Sequence, residues 1–429
     1  MIIRLPHVIS NVSSRWGRSA VIIAAGLSLT GLGTLVTMGL TARWLVPAQY
    51  QTFVTWWAVA TYFGAGFGVF ETYAARLVVK ALSEGRSPRP VVAVIAGRAW
   101  MSVIVIAVIV VVFHSWIAHT LFQGSVTATL LLPVFVAFAM LQCVQRGISS
   151  GHRFFVMNAT QFASDGVIRV ALVLAVHAFA RSSMAMFAAA TCLSAAASVL
   201  ISFAVFPGSW TRPRLRGSNV SWRPLLYLLL SMASIMLINN GAVVWLSATH
   251  SIPAIMLGAF AGVMTLSQIP TQLSSAIASP TLSYLAQALD TGDHVRFRQL
   301  HRRVVTLTFW FGLAFVGAFM VLGHEVLSLY LGPSYTMDRT YMLLLAASSS
   351  VMLLAMVEQA VLNSRIQWRK VGVSWTFATL GFFVTLALPV STIVRAATAP
   401  LVSVSVAYVA MTVLNARYTR AVATPQATS

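Results

Sequence analysis

The chain alternates long apolar runs with short polar or Pro/Gly-rich breaks from one end to the other. Each run is close to the roughly 20 residues that a helix needs to cross a ~30 Å hydrocarbon core. In the eighth run Pro270 predicts a kink, because proline removes a helical hydrogen bond. The pattern predicts an all-α integral membrane protein with about twelve transmembrane helices. The predicted spans are 20–41, 51–71, 91–113, 126–145, 156–179, 184–206, 225–248, 253–278, 303–322, 341–363, 371–389 and 394–415.

Composition agrees with this pattern. The 429 residues are 58% hydrophobic and only 8% charged, whereas soluble domains carry about 25% charged residues. Between Arg223 and Asp290 there is no Asp, Glu, Lys or Arg, which leaves room for two spans and a tight turn. Cys143 and Cys192 both lie inside apolar runs, so no disulfide framework is indicated. These features exclude an ordinary soluble fold.

The basic residues predict the orientation of the helices. If both termini are cytoplasmic, 22 of the 28 Lys and Arg residues fall in inside segments and 4 in outside loops. Basic loops are retained on the cytoplasmic side of a membrane. The distribution therefore predicts cytoplasmic termini and an even number of spans. It also accounts for the net charge of +20 without a nucleic-acid partner.

The two halves of the chain resemble each other. "ALSEG" after the second span aligns with "ALDTG" after the eighth at an offset of 207 residues. This spacing predicts two parallel six-helix bundles related by a pseudo-two-fold axis along the membrane normal, with the substrate path between them. The predicted segments are an N-terminal segment (1–19), a first bundle (20–206), a basic linker (207–224), a second bundle (225–415) and a tail (416–429).

Three stretches carry a resemblance to a known family. They are "TARWLVPAQYQTFVTWWAVATYFGAGFGVFETYAARL" (41–77), "LSSAIASPTLSYLAQALDTGD" (273–293) and "LSLYLGPSY" (327–335). The chain resembles the bacterial polysaccharide flippases, of the O-antigen type that carries lipid-linked oligosaccharides. These belong to the multidrug/oligosaccharidyl-lipid/polysaccharide exporter superfamily. Gln51 departs from the pattern, because the family usually has Gly after the Tyr.

The resemblance implies two bundles around a central cavity in the bacterial inner membrane. The cavity would accept an anionic undecaprenyl-diphosphate-linked oligosaccharide from the cytoplasmic leaflet and release it on the periplasmic side by alternating access. Such a protein is a transporter and not an enzyme. It needs no cofactor, with H⁺ or Na⁺ as the candidate coupling ions. Its partners would be membrane lipid, a polysaccharide polymerase and a chain-length regulator.

Two ionisable residues lie deep inside the fifth predicted span. At 1.5 Å per residue, Asp165 and Arg169 come near the middle of the membrane. Charges at this depth are costly and mark functional sites. A guanidinium matches phosphate oxygens with a planar fork, so Arg169 is the candidate for the substrate's phosphate. The alternative is a structural Asp165–Arg169 pair, one helical turn apart, that neutralises itself.

Five further residues are candidates for a functional role, and each of them has a second, structural interpretation. Glu71 and Glu358 are candidate ion-coupling residues, or interfacial residues paired with nearby basic loops. Arg98 is a candidate first contact for the entering head group, or one more inside-positive charge. Asn239 and Asn240 are candidates to bind sugar hydroxyls, or to join helices. The histidines show no spacing typical of metal ligands.

Two other functions stay open. A cation-coupled drug exporter of the same fold usually carries an acidic residue near the first helix, and the first span here has no charge. A membrane polysaccharide polymerase or ligase usually needs a large external loop, and the longest outside loop predicted is 323–340.

Overall fold

The computed structural model describes residues 6–179, 183–206, 213–214, 223–271, 293–365 and 367–423, and these residues are helices joined by short turns. The linker 207–224, apart from Pro213, Arg214 and the start of the following helix, lies outside the described residues, as does the repeat segment 288–292. The helices are α1 (Pro6–Trp44), α2 (Pro47–Gly66), α3 (Gly68–Ser83), α4 (Arg89–Val112), α5 (His114–Leu121), α6 (Val126–Gly151), α7 (Phe155–Phe179), α8 (Met184–Val205), α9 (Arg223–Thr249), α10 (Ala254–Ser267), α11 (His294–Leu331), α12 (Arg339–Ser364), α13 (Trp368–Leu386) and α14 (Thr392–Ala423).

The number of long helices agrees with the predicted number of spans. Within the described ranges, eleven stretches are long and apolar enough to cross a membrane, with α2 and α3 together forming one of them. Helix α13 is not among the eleven, and its first turn contains Arg369 and Lys370. It nevertheless occupies the place of the predicted eleventh span, 371–389. The protein is therefore an all-α integral membrane protein of about twelve spans.

The ends of several helices differ from the predicted spans. Helix α6 continues six residues past the predicted end at 145, so Arg146 lies inside a helix and not in a loop. Helix α11 runs to Leu331, which shortens the predicted outside loop to 332–338. The charge of Arg146 ends the apolar run in the sequence. It does not end helix α6, because the Arg146 side chain has a polar partner in Glu71.

Two breaks interrupt spans. The second predicted span is divided at Phe67, between α2 and α3, within the segment "GAGFG". Helix α10 ends at Ser267, three residues before Pro270, and helical structure resumes at Ile269. This break confirms the kink predicted at Pro270. The rest of the predicted span 253–278 lies beyond the described residues.

The two halves share one packing pattern. In the first half α1 packs on α7, α7 on α8, α6 on α8 and α4 on α6. The second half repeats it, with α9 on α13, α13 on α14, α12 on α14 and α11 on α12. The two six-helix bundles are thus parallel repeats, related by a pseudo-two-fold axis along the membrane normal. We call the end of the molecule with residues 84–88 and 152–154 the basic end, and the end with residues 45–46 and 332–338 the opposite end.

Helix α1 lies directly against the backbone of α7. A Cβ atom added to Gly33 would come within 2.6 Å of the Gly166 carbonyl oxygen, and one added to Gly26 within 2.6 Å of the Ala159 oxygen. Small residues permit such close approach of membrane helices, where packing and hydrogen bonds drive association. The Thr30 hydroxyl also donates a hydrogen bond to the carbonyl of Phe162. The contact fixes the rotation of α7, and with it the direction of its polar face.

A pair of glycine substitutions tests this contact. Gly33→Ala should lower the stability by about 1–3 kcal/mol, because the new methyl group overlaps the α7 backbone. Gly31→Ala is the matched control, since no atom lies within 4 Å of its added Cβ. Thermal unfolding of the purified protein in detergent measures both. Equal melting temperatures for the two variants would contradict the close contact.

Candidate substrate cavity

A cavity of about 720 Å³ lies between the two bundles. Helices α1, α2, α6 and α7 of the first bundle and α9 and α10 of the second line it. Much of the lining is apolar, but polar side chains converge on it from both bundles. These polar residues are Ser28, Thr30, Thr34, Thr61, Gln142, Arg146, Gln161, Asp165, Arg169, Asn239, Asn240, Thr265 and Gln268.

Asp165 and Arg169 form a buried pair on the cavity wall. The Arg169 guanidinium donates to an Asp165 carboxylate oxygen and, at 2.9 Å, to the Thr34 hydroxyl of α1. It also lies 5.0 Å from the centre of the Trp57 ring. The other Asp165 oxygen accepts a hydrogen bond of 3.1 Å from Ser194. The predicted pair therefore exists, and Arg169 remains part of the cavity wall.

The Arg169 side chain retains one unused donor. Its Nε atom is buried and has no hydrogen-bond partner among the described residues. Buried donors in proteins are nearly always paired, and an exception calls for an explanation. An acceptor supplied by a ligand would satisfy this donor.

A second arginine, Arg146 of α6, lines the same cavity. Its Nε donates to a Glu71 oxygen at 2.8 Å, and its terminal nitrogens reach Gln161 Oε1 at 3.3 Å and Cys143 Sγ at 3.1 Å. The ring of Phe162 lies 4.7 Å from the guanidinium carbon. Glu71 is thus paired with an arginine inside the bundle and not with a basic loop.

The two asparagines connect the cavity to the second bundle. Both Asn239 and Asn240 line the cavity from α9. The Thr61 hydroxyl of α2 donates to Asn240 Oδ1 at 3.2 Å, so Asn240 joins the two bundles. Gln268, at the break after α10, donates to the Asn239 carbonyl at 2.9 Å. The side-chain amides of Asn240 and Gln268 are thus held in place at the cavity.

Two candidates lie away from the cavity. Glu358 of α12 is buried and accepts hydrogen bonds from His301 at 3.0 Å and from Asn415 at 2.6 Å. This cluster is in the second bundle, near the basic end. Arg98 lies on α4, close enough to Tyr73 to interact electrostatically with it. Neither residue lines the cavity, and the ion-coupling roles of Glu71 and Glu358 stay predictions.

Two tyrosines from the two halves meet at the opposite end, in a contact that we call the tyrosine seal. The Tyr50 and Tyr335 rings meet edge to face, with centroids 5.6 Å apart. Gly258 of α10 packs against both rings. The Tyr335 hydroxyl donates to the Ala42 carbonyl at 3.4 Å, and burial raises the pKa of this hydroxyl, so it stays a donor at neutral pH. Because these residues come from both halves, the seal holds the bundles together at that end.

Solved structures resemble the chain over almost its whole length. An inward-facing multidrug resistance MATE family transporter of the MOP superfamily is 14% identical, with a TM-score of 0.65 and with 94% of this chain and 100% of that chain covered. An outward-facing multidrug resistance MATE family transporter is 16% identical, with a TM-score of 0.67 and coverage of 95% and 96%. The chain has the fold of the MOP superfamily transporters.

The MOP fold also includes a transporter with a different pocket. A MOP superfamily transporter from Pyrococcus furiosus, described as having a binding pocket of reverse polarity, is 16% identical, with a TM-score of 0.63 and coverage of 95% and 96%. No protein-family model and no curated protein matches the chain. At these identities the MOP likeness establishes the fold, so the substrate class must be argued from the side chains of the cavity.

The sequence reasoning missed Arg146, Gln142, Gln161 and Gln268 as cavity residues. The predicted fourth span ends at 145, where the charge of Arg146 ends an apolar run, and this places Arg146 in a cytoplasmic loop. A sequence signal did exist, because Gln142 and Arg146 are four residues apart, as are Gln161 and Asp165. Residues at this spacing share one face of a helix. The fourth and fifth spans therefore each have two polar residues on one helical face.

A double-mutant cycle tests whether Asp165 and Arg169 act as one unit. Asp165→Asn or Arg169→Gln alone should destabilise the fold by about 3–5 kcal/mol, because each leaves an uncompensated buried charge. The double variant should cost less than the sum of the two. Glu84→Gln is the control, since its pair with Lys80 is exposed and should contribute little. Unfolding in detergent measures the cycle, and strictly additive losses would contradict the pair.

Proposed function

We propose that this protein is a flippase that moves an undecaprenyl-diphosphate-linked oligosaccharide from the cytoplasmic to the periplasmic leaflet by alternating access. It would act in surface polysaccharide biosynthesis in a bacterial inner membrane. It needs no catalytic residues of its own, since the substrate changes leaflet and not covalent structure. The polysaccharide flippase resemblance of the sequence and the MOP fold both support this proposal.

The charge of the cavity carries the proposal. Its described lining contains two arginines, Arg146 and Arg169, and one carboxylate, Asp165, while Glu71 pairs with Arg146 from outside this lining. The Asp165 carboxylate is already engaged by Arg169 and Ser194. The two guanidinium groups are therefore the charged groups that face a ligand as hydrogen-bond donors. A diphosphate offers several strong acceptors, and Arg binds such groups better than other side chains do.

The rest of the polar lining suits a sugar. Side-chain amides of Gln142, Gln161, Asn239 and Gln268 and several hydroxyls face the cavity from both bundles. Amides and hydroxyls both donate and accept, as the hydroxyls of an oligosaccharide require. The apolar part of the lining and the lipid around the helices would accommodate the polyprenyl chain.

The seal supports a direction for loading. Tyr50 and Tyr335 join the two halves at the opposite end, so we expect access from the basic end in this state. The positive-inside rule assigns the basic end to the cytoplasm. A substrate assembled on the cytoplasmic leaflet would then load first, and opening of the tyrosine seal would release it.

The alternative is a cation-coupled drug exporter, which the fold fits equally well. Two observations favour the flippase. Helix α1 contains no acidic residue, and the carboxylate of Asp165 is held by an arginine. A cationic drug would have to displace Arg169 and then lie beside two guanidinium groups. An anionic head group can instead accept hydrogen bonds from those guanidinium groups.

Transport by reconstituted protein distinguishes the two functions. The wild-type protein should flip a fluorescent lipid-diphosphate oligosaccharide in proteoliposomes and should not accumulate ethidium. Asp165→Asn combined with Arg169→Gln should slow flipping about tenfold or more, because a charge-assisted hydrogen bond is lost. Arg395→Gln is the matched control, since Arg395 is half-buried over Trp245 and outside the cavity. Normal flipping by the double variant, or transport of ethidium alone, would contradict the proposal.

A further inference from the structure

Arg146 and Arg169 are surrounded in the same way. Each guanidinium pairs with one carboxylate, Glu71 or Asp165. Each donates to one uncharged oxygen, Gln161 Oε1 or Thr34 Oγ1. Each lies about 5 Å or less from the centre of an aromatic ring, Phe162 at 4.7 Å and Trp57 at 5.0 Å. Both arginines line the one cavity, so a ligand in it would meet two guanidinium groups held in place.

Both guanidinium groups contact helix α7. Arg146 of α6 bonds Gln161, and Arg169 bonds Asp165, four residues further along α7. Four residues correspond to a rise of about 6 Å, or one turn. The Arg146 guanidinium is also close enough to Asp165 to interact with it electrostatically. The two cations therefore lie on one wall of the cavity and contact successive turns of α7.

We propose that Arg146 and Arg169 form a two-point clamp in which each guanidinium binds one phosphate of a diphosphate head group. This inference rests on the proposed function and names the feature of the substrate that is selected. Two phosphates joined through one oxygen carry acceptors at both ends, so one diphosphate can accept hydrogen bonds from both guanidinium groups. A monophosphate engages one guanidinium only, so the clamp selects diphosphate over monophosphate lipids.

The two carboxylates act as counter-ions that the diphosphate replaces. Glu71 is 28% exposed at its side chain, so water can solvate it when Arg146 turns to the ligand. Asp165 keeps its hydrogen bond from Ser194. In the empty cavity the carboxylates hold both guanidinium groups in position, which lowers the entropy lost on binding. Glu71 is then a positioning residue for Arg146.

Binding of short prenyl phosphates tests the clamp. Calorimetry in detergent compares farnesyl diphosphate, farnesyl monophosphate and farnesol. The wild-type protein should prefer the diphosphate about tenfold or more, as expected for one further charge-assisted contact. Glu71→Gln combined with Arg146→Gln should abolish that preference and leave the monophosphate Kd nearly unchanged. Arg395→Gln should retain the wild-type preference.

The outcomes separate the clamp from the function on which it rests. Equal losses for both phosphates in the Glu71/Arg146 variant would overturn the clamp, because Arg146 would then supply only a general positive field. A wild-type protein that binds both phosphates equally would also overturn it, while flipping in proteoliposomes would still uphold the flippase. If neither phosphate binds better than farnesol, the proposed function fails too. Should the double variant unfold, Arg146→Lys keeps the charge but loses the fork, and it should still reduce the preference.

Discussion

The cost of placing a charge in hydrocarbon is the constraint on which the rest of this structure depends. An ionised side chain deep in a membrane must face water or a partner, because lipid offers it neither. Here the deep charges occur as pairs, Arg169 with Asp165 and Arg146 with Glu71. Both arginines lie on the cavity between the bundles and not on the lipid side. The same pairing that makes insertion tolerable also leaves two cations poised beside a hydrated space.

Backbone packing determines where those charges point. Gly33 and Gly166 allow α1 and α7 to touch, and Thr34 of α1 then reaches Arg169 of α7. A larger residue at either glycine would move the wall of the cavity and the arginine together. Stability and binding are therefore linked through one helix contact.

The two bundles contribute unequally to the cavity. The charged side chains of its described lining come from the first bundle, whereas the second contributes Asn239, Asn240, Gln268 and apolar surface. The two halves therefore share one packing pattern but contribute different polar side chains to the cavity. The Tyr50–Tyr335 contact joins the halves at one end. Neither tyrosine contributes to an arginine pair, so this contact and the two pairs are separate features of the structure.

The sequence by itself determined the membrane class, the number of spans, the two-fold repeat and the presence of charges inside apolar spans. Long apolar runs, and the few charges within them, are visible directly in the order of the residues. It also gave the Asp165–Arg169 pair, because residues four apart on a helix meet. It misplaced Arg146, whose charge ended an apolar run although the helix continued to Gly151. Only the tertiary structure decided that Arg146, Glu71 and Gln161 meet, that Arg98 and Glu358 lie away from the cavity, and that Tyr50 meets Tyr335. These contacts depend on how each helix is rotated about its axis relative to its neighbours. The residues that meet are far apart in the chain, so the local sequence pattern contains no information about that rotation.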